Sequence, residues 1–401
     1  MPPLDCAGDF PVLQRKIDGR SITYLDNAAS TLKPRVVIDA ITRFYENNGA
    51  NVHRGKHYLS EEASDAFEQA RYRVAEFVGA FGNEIVFVRG STEALNLVAW
   101  GLALKPDDLV VGCLDSHHSQ ILPWRRFAHL ELVRTGPDGR VDLDHYHKLL
   151  RRGPKVVALT HCSNVTGATI PLEAMAAAAK EVCGATVVVD ATQSLPHSRV
   201  DVSRLAADFL AFSGHKMMGP TGIGCLYGRR DSLERLRSYM QGGGTVDWLD
   251  EHRISERKIP HRFEAGTPAI SGALGLAAAL SYRDQLGNQQ QEQHAHELTN
   301  ALLEGAAARS YIRLIGPRSS ELRIPIATFW VQGCDDLSDV ARALSDSYGI
   351  MCRSGHMCAQ PIVDAHGTGE VLRISGYVYN TASEIEGAFR ALDEIVTLLA
   401  R

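Results

Sequence analysis

The chain has 401 residues, which is more than one ordinary domain needs and enough for a large and a small one. Apolar residues make up 45% of it and charged residues 22%, values close to those of globular proteins, so a disordered or fibrous chain is excluded. The net charge of −5 provides no basic surface for nucleic acid or for an anionic membrane, and we expect neither partner.

The N-terminus and the cysteines indicate a reducing, cytoplasmic location. Residues 1–5 lack the basic region and apolar stretch of a secretory signal, and apolar segments such as Gly272 to Leu280 are too short to span a bilayer. No CxxC pair or disulfide-like spacing occurs among the eight cysteines, at positions 6, 113, 162, 183, 225, 334, 352 and 358. We expect most of these thiols to be small buried groups.

Short apolar runs alternate with helical patterns, which predicts an α/β fold with a mostly parallel sheet. Loops of small or polar residues follow the first four runs, where α/β proteins usually bind ligands. Ser91 to Leu95 reads as the start of a helix. The predicted strands are Ile85–Val88, Leu109–Gly112, Val156–Thr160, Thr186–Val189, Phe209–Phe212 and Ile223–Tyr227.

The pattern changes near residue 288. A polar, Gln-rich stretch at 287–297 leads into a helix, followed by two further apolar runs, Ala327–Val331 and Val371–Ile374. A last helix is predicted from the capping box of Thr381 and Glu384. We therefore predict a large domain at 18–287 and a smaller α+β domain at 288–401. Residues 1–17 could pack on either domain, and the small domain is one of the two options.

The most informative segment runs from Ser213 to Gly224 and contains Lys216 in a Gly-rich loop after a buried strand. Alone, such a lysine would more often be a surface residue or a phosphate contact, and Asp190, at the end of another apolar strand, would more often cap a helix or turn. The two together suit pyridoxal phosphate (PLP). The carboxylate keeps the pyridine nitrogen protonated, and the lysine holds the cofactor covalently.

Over nearly its whole length the sequence resembles the group II (SUF-type) cysteine desulfurases and selenocysteine lyases. These belong to the class V aminotransferase superfamily and have the fold-type I architecture of PLP-dependent transferases. Besides the segments of Asp190 and Lys216, the resemblance rests on ordered motifs at Tyr24–Ser30, Val52–Gly55, Phe87–Glu93, Thr160–Gly167, Arg262–Pro268 and Arg353–Ala359.

The resemblance implies a complete PLP site. Lys216 would bind the cofactor and shuttle protons, and Asp190 would pair with the pyridinium nitrogen. His117 would stack on the ring; without the resemblance it would be read as an ordinary satisfied histidine. Thr267 would reach the phosphate of the neighbouring subunit, which implies a homodimer. The other implied contacts are Asn164 and Gln193 to the phenolic oxygen, and Ser91, Thr92, Ser213 and His215 around the phosphate.

The resemblance also implies a thiol and a substrate site in the small domain. Cys358 lies on a polar, Gly-containing loop near an arginine and a histidine, a setting that favours reactivity over the inert burial expected of the other cysteines. Arg373, inside an apolar strand, needs a partner; we favour the substrate carboxylate over a structural ion pair with Asp or Glu. Further substrate contacts would come from Arg353, Asn27, Ala28 and His53, and no metal is implied.

The expected reaction takes sulfur from L-cysteine onto Cys358, leaving alanine, and passes the persulfide to an acceptor protein or small thiol, for iron–sulfur cluster assembly or a specialised thio-metabolite. Three departures from the family pattern bear on thiol activation and the acceptor: Met357 in place of a second histidine, Ser116 in place of glutamate and Gln120 in place of asparagine.

Other functions remain open at this stage. A selenocysteine lyase, a cysteine sulfinate desulfinase, a C–S lyase or an amino-acid epimerase could use the same scaffold, although the last two would not need Cys358. A non-catalytic scaffold subunit is the remaining alternative, and the complete set of site residues argues against it.

Overall fold

A computed structural model describes residues 4–136, 139–334, 336–367 and 369–399. Seven strands form one large sheet, in the order β4-β10-β9-β8-β7-β5-β6. The strands are β1 Lys16–Ile17, β2 Arg20–Ser21, β3 Thr23–Tyr24, β4 Ile85–Val88, β5 Leu109–Cys113, β6 His129–Val133, β7 Val156–Thr160, β8 Thr186–Asp190, β9 Phe209–Ser213, β10 Gly224–Gly228, β11 Val246–Leu249, β12 Ile254–Glu256, β13 Ile312–Ile315, β14 Ile326–Val331, β15 Ile350–Met351, β16 Arg353–Gly355 and β17 Val371–Ser375.

The α-helices surround the sheets. They are α1 Arg35–Asn47, α2 Tyr58–Val78, α3 Ser91–Gly101, α4 Leu122–Phe127, α5 Leu143–Leu150, α6 Leu172–Cys183, α7 Arg230–Arg235, α8 Ile270–Gln285, α9 Asn288–Ala307, α10 Leu337–Tyr348, α11 Gln360–Ala365 and α12 Ala382–Leu399. Within the described residues no helix has the length and apolar character needed to cross a membrane.

The predicted α/β fold with a mostly parallel sheet is confirmed. Strands β6, β5, β7, β8 and β9 pair in parallel, whereas β10 is antiparallel to both β9 and β4. All six predicted strands are present, with ends that differ by at most one residue. The sequence missed β6, because this strand lies at the sheet edge, where His129 and Glu131 alternate with apolar residues instead of forming a buried run.

Helices cover both faces of the large sheet, which explains why its central strands are apolar throughout. One face packs against α2, α5, α6 and α8, and the other packs mainly against α3 and α4. Because these strands are parallel, their carboxyl ends lie together at one edge of the sheet. Because the sheet is buried on both sides, polar side chains at the strand ends are concentrated there.

A second, four-stranded antiparallel sheet has the order β13-β14-β17-β16 and packs against α9, α10 and α12. The capping box of α12 is present: Glu384 N–H donates to Thr381 Oγ1 at 3.2 Å, and Thr381 N–H donates to Glu384 Oε2 at 2.8 Å. The Gln-rich stretch was wrongly expected to precede a helix. It is the first half of α9, in which Gln291 and His294 face the protein interior.

The N-terminal segment contacts both halves of the chain. Cys6 and Phe10 pack with Val37 and Ala279 and also with Tyr377. Strand β3 pairs in parallel with β15, so the N-terminal segment is hydrogen-bonded to the C-terminal part of the chain. The predicted domain limits at 18–287 and 288–401 stay a prediction.

Candidate active site

One cavity of about 190 Å³ lies at the carboxyl edge of the large sheet, facing the small one. It brings together residues that are far apart in the sequence. Its lining contains Ala28, Ala29, Ser91, Thr92, His117, Ser119, Thr160, Cys162, Asn164, Asp190, Thr192, Gln193, Ser213, His215, Lys216, Arg353, Met357, Cys358 and Arg373. Of the predicted site residues, Asn27, His53 and Thr267 lie outside this lining.

Asp190 and Lys216 form the charged centre of the cavity. Asp190 ends β8 and is buried; its Oδ1 accepts from Thr192 N–H at 2.9 Å, and burial raises its pKa despite this bond. Lys216 ends the 3₁₀ turn Gly214–Lys216 after β9. Burial, and then repulsion from Arg373, lower the pKa of Lys216 to about 8. A cationic ring nitrogen beside Asp190 would favour the charged form of the carboxylate. An amine with a lowered pKa, such as that of Lys216, is readily available as a nucleophile.

Hydroxyl and backbone groups at the start of α3 form a cradle suited to an anion. Ser91 N–H donates to Ser213 Oγ at 2.9 Å, and the two serine hydroxyls lie 3.0 Å apart. Thr92 Oγ1 lies 2.7 Å from Ser119 Oγ. A Cβ at Gly90 would lie 3.2 Å from Ser213 Oγ, so glycine leaves room for this approach. The helix dipole and the free N–H groups favour a phosphate here.

Two histidines at the cavity are neutral near pH 7. Burial, and then the charge of Lys216, lower the pKa values of His117 and His215 to about 4. His117 Nδ1 accepts from Ser119 N–H at 3.1 Å, which leaves the proton on Nε2. A flat, uncharged imidazole suits the predicted stacking against a ring.

Three polar atoms of cavity-lining residues have no hydrogen-bond partner among the described residues, namely Asn164 Oδ1, Thr192 Oγ1 and Arg373 Nε. Asn164 Nδ2 donates to Met357 O at 2.7 Å, and Gln193 Nε2 donates to Ala28 O at 2.8 Å. Buried polar atoms without partners are costly unless a ligand satisfies them. Together with Lys216, they fit PLP. The sequence analysis had not singled out Thr192, although its place two residues after the strand-end aspartate was a usable signal.

Cys358 is the one exposed thiol among the eight cysteines, and it faces this cavity. It lies in the loop between β16 and α11, where Met357 and Cys358 both have left-handed backbone angles, φ 53° and 54°. His118 N–H donates to Cys358 O at 2.8 Å. Met357 is buried against Val165 and other apolar residues. The loop is therefore anchored on both sides of the thiol.

Four of the other cysteines that lie in or near the two sheets are poor candidates for chemistry. Burial raises the pKa of Cys113 to about 11 and that of Cys352 to about 12, and it raises those of Cys162 and Cys225 as well. A thiol that stays protonated is a weak nucleophile.

Arg373 requires a correction to the sequence prediction. Its Nη2 pairs with Asp26 Oδ1 at 3.1 Å, so the structural ion pair that we had set aside exists. Nη1 donates to Asn164 O at 2.8 Å, whereas Nε has no partner among the described residues. Arg353 Nε lies 3.3 Å from the other oxygen of Asp26. One carboxylate thus holds two guanidinium groups that both face the cavity, where their excess positive charge suits a substrate carboxylate.

Asn27 has an internal role. Its Nδ2 donates to Ser375 O at 2.7 Å, and its Oδ1 accepts from the Tyr379 hydroxyl. Asn27 Nδ2 also donates a hydrogen bond to Asn380 Oδ1 at 3.0 Å. The predicted substrate contact of Asn27 is therefore not supported, because its side chain joins the two parts of the chain behind Ala28, which does line the cavity.

His53 and Thr267 line a second cavity of about 270 Å³. In addition, donor atoms of His53, Glu68 and His261 lie within 4.8 Å of one another, an arrangement that the sequence did not suggest. Arg71 donates to both oxygens of Glu68, at 2.9 and 3.3 Å, so this carboxylate already has a cationic partner. The expected absence of a metal stays a prediction.

Ser116 and Gln120, two of the residues that depart from the family pattern, form hydrogen bonds inside the protein. Ser116 Oγ lies 2.7 Å from Thr160 Oγ1 in the interior. Gln120 Nε2 donates to Leu159 O at 3.1 Å and to Val188 O at 3.2 Å, so it crosslinks β7 and β8 beneath the cavity. Neither residue is among those that line the cavity.

The fold and the cavity define the class of this protein. The chain belongs to the class-V aminotransferase family, whose model matches residues 23–387. It is 41% identical to a probable cysteine desulfurase of Synechocystis sp., over 97% of this chain and 94% of that protein. It is 40% identical to a probable cysteine desulfurase of Streptomyces coelicolor, over 96% and 95%. An apo structure of a cysteine desulfurase from Thermococcus onnurineus NA1 is 39% identical and superposes with a TM-score of 0.93 over 98% of both chains.

Proposed function

We propose that this protein is a PLP-dependent cysteine desulfurase, which converts L-cysteine to L-alanine and leaves a persulfide on Cys358. The observation that carries the proposal is that one cavity contains Asp190 and Lys216 together with the one exposed cysteine thiol. A lysine and an aspartate serve many PLP reactions. The thiol distinguishes sulfur capture from the others.

The residues of the cavity have separable tasks. When bound, PLP supplies an electron sink for the carbon chemistry. Lys216 would hold it covalently and Asp190 would hold its ring nitrogen, with the cradle of Ser91 and Ser213 around its phosphate. His117 would lie against its ring. The neutral histidines and the polar atoms without partners support these proposed contacts with the cofactor.

The substrate would bind with its carboxylate at Arg373 and Arg353. Lys216 removes the α-proton, and the Cys358 thiolate attacks the sulfur of the substrate. The carbon–sulfur bond breaks as the sulfur–sulfur bond forms, and its electron pair goes to the β-carbon. Lys216 returns the proton that it took to the α-carbon, and the β-carbon gains the proton that the Cys358 thiol gave up. Alanine leaves, and the second sulfur of the Cys358 persulfide is then transferred to another thiol, which restores Cys358.

The partners belong to the same proposal. A homodimer is supported by the position of Thr267 and His53 in a second cavity, away from the Lys216 of their own chain. The exposure of Cys358 allows an acceptor protein or a small thiol to reach the persulfide. A reducing cytoplasm agrees with the lack of disulfide bonds among the residues that the structure describes.

The test is to incubate the PLP-loaded protein with L-cysteine and to measure alanine and protein-bound persulfide, with and without a dithiol or candidate acceptor proteins. We expect equal amounts of alanine and transferred sulfur, and persulfide mapped by mass spectrometry to Cys358. Pyruvate and free sulfide in place of alanine would contradict the proposal and indicate a C–S lyase. Cys183→Ala is the matched control.

A further inference from the structure

The backbone on both sides of Lys216 is held by one short segment, Ser30–Lys33. Four donors from this segment converge on a single acceptor, the carbonyl oxygen of His215. They are Thr31 N–H at 3.0 Å, Thr31 Oγ1 at 3.1 Å, Ser30 Oγ at 3.2 Å and Lys33 Nζ at 3.3 Å. This carbonyl belongs to the peptide bond that joins His215 to Lys216.

The same segment also holds the chain after Lys216. Met218 N–H donates to Thr31 Oγ1 at 2.8 Å. Met218 has a φ of 66°, in the left-handed region that a residue other than glycine adopts only when its surroundings enforce it. Thr31 therefore bonds to both sides of Lys216, and the conformation of the turn depends on this contact.

Lys33 is the charged member of the segment, and it has no acidic partner among the described residues. The ion pairs of the described residues do not include it. Its ammonium group donates only to uncharged oxygens, namely Thr31 O, Ser30 Oγ at 3.2 Å and His215 O. Burial lowers the pKa of Lys33 to about 8, so the protein keeps a costly group at this place. Such a cost suggests a role other than stability.

We propose that Lys33 is a positioning residue for Lys216: its ammonium group holds the carbonyl oxygen of His215 and thereby directs the Lys216 side chain into the cavity. The inference rests on the proposed function only in taking Lys216 as the residue that binds PLP. It adds a residue that touches neither substrate nor cofactor and acts through the backbone.

The test compares Lys33→Met, which keeps an unbranched side chain one atom shorter and without the charge, with Lys33→Arg, which keeps a cation. Lys105→Met, at an exposed lysine, is the matched control. Three quantities are measured for each protein. They are the rate at which the apoprotein attaches added PLP covalently, followed by borohydride trapping and mass spectrometry; kcat and KM for L-cysteine; and the unfolding midpoint of the apoprotein.

We expect Lys33→Met to slow covalent attachment and to lower kcat, each about tenfold, with KM within about twofold, because the carboxylate site is untouched. Its unfolding midpoint should stay at or above that of the wild type, since a partly buried cation without an acidic partner has been removed. Lys33→Arg should recover most of the attachment rate. Wild-type attachment rates in Lys33→Met would overturn the inference. A fall in stability that accompanies the loss of attachment equally in both variants would also overturn it, as evidence of a structural role.

Two additions keep the outcome decisive. If Lys33→Met does not fold, Lys33→Gln replaces it and is judged by the same criteria. Attachment of PLP needs no cysteine, so a wild-type protein that attaches PLP and forms no alanine would refute the desulfurase proposal while still testing Lys33.

Discussion

The two reactive residues of the cavity are held in opposite ways. Lys216 follows a fully buried strand of the large sheet, and the peptide bond before it accepts four hydrogen bonds. Cys358 lies on an exposed loop next to the small sheet, anchored by two backbone carbonyls and the side chain of Met357. Proton transfer at carbon needs a desolvated group in a constant position. Sulfur delivery needs a thiol that the next molecule can reach.

The electrostatic environment also favours an amine in the interior and a reactive thiol at the surface. Burial lowers the pKa of Lys216 to about 8 and raises those of the buried cysteines, so the interior makes an amine more nucleophilic and thiols less so. A catalytic thiol is therefore better placed at the surface. Substitutions at each of these residues test this division between a base fixed in the cavity and an accessible thiol.

The largest effect is expected for Lys216→Ala. We expect the turnover of L-cysteine to fall about 10⁴-fold or more, because no other lysine lines the cavity in the described part of the chain. PLP should still bind noncovalently through Asp190 and the serine cradle. Alanine formation and cofactor absorbance after gel filtration would be measured, with Lys105→Ala as control. Substantial turnover by the variant would refute the assignment of the base.

Cys358→Ala separates the two roles. We expect alanine formation from L-cysteine to fall about 100-fold or more, while bound PLP is kept. Activity on L-selenocysteine should fall much less, because selenium leaves carbon more easily and needs less help. Alanine from both substrates would be measured side by side. Equal losses would mean that the thiol also maintains the loop, and near-wild-type activity on cysteine would indicate a C–S lyase.

Arg373→Lys tests whether the guanidinium binds substrate as well as Asp26. We expect KM for L-cysteine to rise about 10- to 30-fold with a smaller change in kcat, since lysine cannot form the paired hydrogen bonds of arginine. Asp26→Asn is the informative partner: it frees both arginines and should lower stability without raising KM to the same extent. An unchanged KM in Arg373→Lys would leave Arg373 with a purely structural role.

The pH dependence of covalent PLP attachment reports on the buried lysine. Only the neutral amine reacts, and burial lowers the pKa of Lys216 to about 8. The attachment rate of the apoprotein should therefore rise about tenfold per pH unit up to pH ~8 and then level off. A model amine measured in parallel corrects for the titration of PLP itself. A rate that rises steadily to pH ~10 would show that the interior does not depress this pKa.

The smallest effect is expected at Met357. Met357→Leu preserves the apolar contact and should behave like the wild type, whereas Met357→His places a polar ring among apolar residues and should loosen the loop. We expect kcat to fall about three- to tenfold in the histidine variant and the alkylation of Cys358 by iodoacetamide to become faster. If both rates were unchanged, the loop would be held by its backbone bonds alone.

The sequence supported the site best where local chemistry and order along the chain were sufficient. Asp190 and Lys216 each follow an apolar strand, and the carboxyl ends of parallel strands open at one edge, so their meeting was predictable. The capping box of α12 follows from hydrogen-bonding rules that involve only neighbouring residues. The edge strand β6 was missed because partial exposure removes the apolar run.

What the sequence by itself determined is the fold class, the strands that form continuous apolar runs, and Asp190 with Lys216 as a candidate cofactor pair, because these depend on periodicity and short-range spacing. The other cofactor residues were implied by the resemblance to cysteine desulfurases. Only the tertiary structure decided that Asp26 pairs with Arg373, that Asn27 faces inward and that Lys33 reaches the peptide before Lys216. Each of these contacts joins residues more than 180 positions apart. Such partners are set by how distant segments of the chain pack together, and side-chain type alone does not encode that packing.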